Sequence, residues 1–175
     1  PSNFAELRYM LKKALFDLEG PVAVRYPRGG EGRFREDLSD KPLACLRQGG
    51  DVTLLSYGVL VNNLLEAAEL LAETGIQAEV LKLNQISPLD HETVCEALGG
   101  RKTLLVLEDS FGAGCVGQRV AAILAEHGRA PEQLILKNLG KTFAPEGSVT
   151  ELEHRFGLDA AGVAAAAEEA VKHGK

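Results

Sequence analysis

The segment RYPRGG, Arg25 to Gly30, places an arginine between a proline and a glycine pair, directly after the apolar run VAVRY. Proline sets its own φ and glycine admits backbone conformations closed to other residues. Such a turn presents Arg28 at a strand's carboxyl end, where α/β sheets bind ligands. A guanidinium there can grip a phosphate or carboxylate through two parallel hydrogen bonds. Pairing with an acid of a neighbouring domain, or plain solvation, fits the loop equally well.

Other segments offer chemistry on a weaker footing. GAGCVG, Gly112 to Gly117, formally satisfies GxGxxG between a strand and a helix. A dinucleotide fold needs those glycines directly at the strand end and an acid closing the next strand about twenty residues later. Here Glu108 to Phe111 intervene and the next strand closes on Lys137 and Asn138, so the glycines are expected to let a helix approach the sheet. Glu108 and Asp109 stand side by side, where one carboxyl could be pushed up by the other; in a strand-to-helix loop the expected role is to bind the amides of the helix start. HETVC, His91 to Cys95, begins like a zinc-protease HExxH but has cysteine for the second histidine. His91, His127, His154 and His173 fall on predicted helices or their ends without a GxSxG elbow, which leaves a hydrolase triad unsupported. Cys45, Cys95 and Cys115 form no CxxC pair, so reduced thiols are expected.

The elements that must hold these residues follow from periodicity. VTLLSY, AEVLKL, TLLVL and LILKN read as buried parallel strands, and helix-period segments separate them. The predicted fold is α/β, doubly wound, with a mainly parallel sheet and helices on both faces. Val61, Leu64, Leu65, Ala68, Leu71 and Ala72 form one helix face before Gly75; Asp90 caps a short helix that ends before Gly99 and Gly100. A third helix spans about Gly114 to His127, SVTE at Ser148 to Glu151 is a capping box with Gly157 as the stop, and an Ala-rich helix starts near Asp159. Asn3 and Glu6 can cap an earlier helix with Phe4, Leu7, Leu11, Leu15 and Leu18 on one face, followed by a strand VAVRY. A lone helix and strand cannot bury both strand faces, so residues 1–30 read as the remnant of a preceding domain, 31–50 as a polar, glycine-rich linker, and 51–175 as the main domain.

Composition sets outer limits. With 175 residues, 45% hydrophobic and 25% charged, the chain can bury a sizeable core. A net charge of -6, from 19 basic and 25 acidic residues, argues against a nucleic-acid footprint while allowing one local basic spot for a small anion. Neither a membrane-length apolar run nor a signal-peptide layout is present, so a cytoplasmic protein without nucleic-acid or membrane partners is expected.

Taken in order, RYPRG, LNQISPLD (Leu83 to Asp90), EDSFGAGCVGQRV (Glu108 to Val120) and FGLDAAG (Phe156 to Gly162) resemble the C-terminal end of the 1-deoxy-D-xylulose-5-phosphate synthase family. The resemblance covers essentially the whole chain. It implies the tail of a pyrimidine-binding domain followed by a transketolase-type C-terminal domain. The implied enzyme uses thiamine diphosphate and Mg²⁺ to join a two-carbon unit from pyruvate to glyceraldehyde 3-phosphate. It works as a homodimer or together with a thiamine-binding N-terminal part, and its product feeds isoprenoid, thiamine and pyridoxal synthesis. By the same resemblance Arg28 holds the acceptor's phosphate, with Arg25 and Tyr26 as supporting residues. Asn84 and Ser87 stand where that family has an arginine and a lysine, which leaves the acceptor open. Neither the family's GDG metal signature nor its activating glutamate occurs, so no catalytic, cofactor or metal residue is expected in this chain, and alone it is expected to be inactive. The rival readings are the C-terminal domain of a transketolase or of a 2-oxoacid dehydrogenase β component, and a noncatalytic α/β binding module.

Overall fold

A computed structural model describes residues 1–27 and 29–173. Its centre is a five-stranded sheet in the order β1-β3-β2-β4-β5. The strands are β1 Leu43–Arg47, β2 Val52–Tyr57, β3 Ala78–Leu83, β4 Thr103–Leu107 and β5 Gln133–Lys137. Pairings β2·β3, β2·β4 and β4·β5 are parallel, and β1 lies antiparallel on β3. The helices are α1 Phe4–Phe16, α2 Val61–Glu73, α3 His91–Leu98, α4 Val116–Glu126, α5 Val149–Phe156 and α6 Ala160–His173.

Successive residues of the inner strands go to opposite faces, and each face has its own core. Val52, Leu54, Val80, Leu105 and Leu107 pack with α2 and α6. Leu55, Leu81, Leu83, Leu104 and Val106 pack with α3 and α4. The fully buried patterns of β3 and β4 follow from this double cover. Local signals end the helices where the sequence places them. Asp90 accepts from the Thr93 amide, Ser148 and Glu151 form the reciprocal capping box, and Gly157 closes α5 at φ 63°, ψ 33°.

Two elements differ from expectation. VAVRY forms no strand: residues 18–27 are irregular, with Val22 and Tyr26 exposed. Extended backbone becomes a strand only when a neighbour satisfies its N–H and C=O groups, and no described strand lies beside it. Leu43–Arg47, expected within the linker, instead forms β1 and covers the free edge of β3, with a register shift between Cys45 and Arg47. Its mixed sequence, LACLR, carries too little apolar patterning to announce an edge strand.

Candidate functional site

The first turn of α1 is docked on the sheet by charge. Glu6 is the only buried residue of this helix, and its Oε1 lies 2.8 Å from Nζ of Lys82 on β3, itself buried. Asn3 Oδ1 accepts from the Glu6 amide at 2.9 Å, and Glu6 Oε2 accepts from the Ser2 amide at 2.7 Å. Lys82 also donates to Asn84 Oδ1, and its ammonium stands 5.9 Å from the Phe34 ring centroid. Burial pushes the Lys82 pKa down, with Glu6 pulling the other way. Asn84 Nδ2 donates in turn to the carbonyls of Leu38 and Lys41, at 2.6 and 2.7 Å. One of the two positions where the resembled family carries a basic residue therefore holds a structural amide.

Beside this anchor lies a cleft of about 270 Å³, lined by Ser2, Phe4 and Leu7 on one side and by Tyr26, Pro27, Gly29 and Gly30 on the other. Glu31 accepts from the Phe4 amide at 3.0 Å and ties the loop to the helix start. Arg28 itself lies outside the described residues. Arg25 and Tyr26 are both exposed, and only Tyr26 lines the cleft.

The second candidate place is the carboxyl end of the sheet between β2 and β4, where the chain departs in opposite directions. That crevice is filled from within. Glu108 is buried and accepts from the amides of Val116 and Gly117 at 3.0 and 2.8 Å, and from the Tyr57 hydroxyl at 3.1 Å. The carboxylate thus occupies the position where a helix start would otherwise receive a phosphate. Burial and the adjacent Glu108 charge hold the Tyr57 phenol far above its ordinary range. Burial likewise pushes the Cys115 thiol up, so neither group is an activated nucleophile. A Cβ on Gly117 would fall 2.7 Å from Leu136 Cδ2 and 3.0 Å from Glu108 Oε1, so this glycine serves close packing of α4 on the sheet. Asp109 is exposed, and its charge adds to that of Glu108 in raising the Tyr57 phenol.

Sequence reasoning missed Glu6 and Lys82. The available signal was a lysine inside AEVLKL: a charge in a strand buried on both faces requires a partner. The partner's identity was invisible, because Glu6 is 76 positions away and also serves the helix cap. Among the described residues no three His, Cys, Asp or Glu side chains converge as a metal site, and no helix is long and apolar enough to cross a membrane.

The chain is 34% identical over 174 residues to a 1-deoxy-D-xylulose-5-phosphate synthase of Desulfitobacterium hafniense, covering 96% of this chain and 27% of that protein. It is 36% identical over 163 residues to the synthase of Desulforudis audaxviator, covering 90% and 26%. The chain therefore spans about a quarter of the length of these relatives, and it resembles their C-terminal portion. Among solved structures, one described as "Split gene transketolase, inactive beta4 tetramer" matches with a TM-score of 0.76 and 27% identity, over 100% of this chain and 57% of that one. A transketolase of Pichia stipitis shares the fold at TM-score 0.56 and 22% identity, over 77% and 18%. Residues 43–163, from β1 into α6, match the family described as "Transketolase, C-terminal domain", and the chain belongs to that family.

Proposed function

We propose that this chain is the C-terminal part of a thiamine-diphosphate-dependent synthase that condenses pyruvate with glyceraldehyde 3-phosphate to 1-deoxy-D-xylulose 5-phosphate, with release of CO₂. The observation that carries the proposal is the match of nearly the whole chain, at 34% identity, to synthases of that name. Residues 1–30 then complete the pyrimidine-binding domain, 31–42 connect it, and 43–175, starting with β1, form the C-terminal domain. Carbanion chemistry in such an enzyme is supplied by thiamine diphosphate with Mg²⁺, held by residues outside this chain. The chain's own share is binding and orientation. Arg28, which stands in the sequence between Pro27 and Gly29, grips the acceptor's phosphate; Pro27, Gly29 and Gly30 line the cleft at the start of α1, and the two glycines leave room for the anion. Arg25 and Tyr26 shape that loop. The enzyme acts in the cytoplasm as a homodimer or with a separate thiamine-binding part. The likeness to a split-gene transketolase chain favours the second arrangement, and keeps a transketolase as the alternative reading.

Arg28→Ala in the enzyme completed by its thiamine-binding part tests the assignment. Loss of a charge-assisted pair predicts a fall of roughly 10- to 100-fold in kcat/KM for the phosphorylated acceptor, with the pyruvate KM unchanged. An equal fall with unphosphorylated glyceraldehyde as acceptor would remove the phosphate clamp from the account.

A further inference from the structure

We infer that Glu6 and Lys82 form a positioning latch, which sets the cleft-lining segment Gly29–Glu31 relative to the C-terminal domain. The inference rests on the acceptor-binding reading of that loop and extends it to residues that touch no substrate. Three observations converge on it.

The first is that α1 is held through its polar side. Phe4, Leu11, Leu15 and Phe16 are exposed, whereas Glu6 is fully buried. Apolar packing tolerates sliding, but a carboxylate and an ammonium enclosed together have one acceptable arrangement. Buried polar groups of this kind are best attested as devices that set register.

The second is that Lys82 gathers several segments at one atom. Its ammonium meets Glu6 from α1, Asn84 from the end of β3, and the Phe34 ring from the connecting segment. Asn84 and Asn62 fasten that same segment through the carbonyls of Leu38 and Lys41 and the amide of Phe34.

The third is a short path to the loop. Glu6 caps with Asn3, the neighbouring Phe4 amide donates to Glu31, and Glu31 adjoins Gly29 and Gly30, which line the cleft together with Ser2 and Phe4. A shift of the first turn of α1 therefore moves one wall of the cleft against the other. Because Lys82 lies on the second-to-edge strand of the sheet, the C-terminal domain gains a hold on a binding loop that it does not itself carry.

The test compares Lys82→Met, which strands the buried Glu6 carboxylate, with Glu6→Leu/Lys82→Met, which removes both charges. Glu6→Gln serves as a milder single change should Lys82→Met not fold. Hydrogen exchange on the 175-residue chain is expected to speed up on the order of a hundredfold at residues 4–16 in the single variants, while β2 and β4 keep their protection. The double variant is expected to recover most of this protection. Unchanged exchange in the single variants, or equal loosening of the whole sheet, would overturn the latch. In the enzyme completed by its thiamine-binding part, the same single variants should raise the KM for the phosphorylated acceptor and leave the pyruvate KM unmoved. Faster exchange in α1 with an unmoved acceptor KM would keep the latch as a structural anchor and sink its positioning role. An Arg28→Ala result that contradicts the clamp would sink the acceptor reading without touching the exchange result.

Discussion

Glu108 does for this fold what a bound phosphate does for a nucleotide-binding one. It neutralises the amide end of α4 from inside the protein, and Gly117 lets that helix sit close enough for both amides to reach it. Replacing a charged acceptor by a neutral one weakens such bonds and turns an amide group toward donors. Glu108→Gln is therefore expected to lower unfolding stability by about 1.5–3 kcal/mol, read by urea denaturation. A small loss, within a few tenths of a kcal/mol, would mean that the carboxylate is not holding α4. The expectation that Glu108 binds helix-start amides came from its place in a strand-to-helix loop. Its choice over Asp109 needed the pleat of β4, which turns successive residues to opposite sides. The same limit applied to Lys82, whose partner only the folded chain could name.

The elements owe their ends to local chemistry, and that is why their bounds could be read in advance. Three expected strands, 52–57, 78–83 and 103–107, coincide with β2, β3 and β4, and the fourth, 134–138, lies one residue from β5. Asp90, Ser148 and Gly157 cap the helices they were expected to cap. Hydrogen bonds from the Ser148 hydroxyl and then its amide hold the Glu151 carboxyl below its ordinary range; the Thr93 hydroxyl and amide do the same for Asp90. Both carboxyls have a lowered pKa in the folded state, so their contribution is complete above the ordinary carboxylate pKa, about 4. It is lost as pH falls through the folded-state values. Amide exchange in the first turns of α5 and α3 is expected to accelerate in that acid window. Ser148→Ala should loosen α5 by about 1 kcal/mol at neutral pH and reduce the depression of the Glu151 pKa, leaving the part due to the residue-148 amide, which an NMR titration reads directly. VAVRY and Leu43–Arg47 escaped this kind of reading because a strand at an edge, or without a neighbour, is defined by pairing rather than by composition.

At the scale of the whole molecule, a well-covered doubly wound domain is joined to a helix whose apolar residues face outward. The arrangement suits a chain that completes a larger enzyme, and it leads to a simple expectation. The purified 175-residue chain, supplied with thiamine diphosphate, Mg²⁺, pyruvate and glyceraldehyde 3-phosphate, should release CO₂ no faster than a protein-free control. Measurable turnover would require cofactor ligands within this chain and would overturn the division of labour proposed above. What the sequence determined by itself were the things set by neighbours along the chain: strand and helix periodicity, caps, and the family to which the motifs lead. The tertiary structure alone decided what depends on groups remote in sequence. It paired Glu6 with Lys82, placed β1 on the free edge of β3, filled the crevice between β2 and β4 with Glu108, and left VAVRY unpaired. The physical reason is that a buried charge or an open strand edge demands a partner without specifying which residue will supply it.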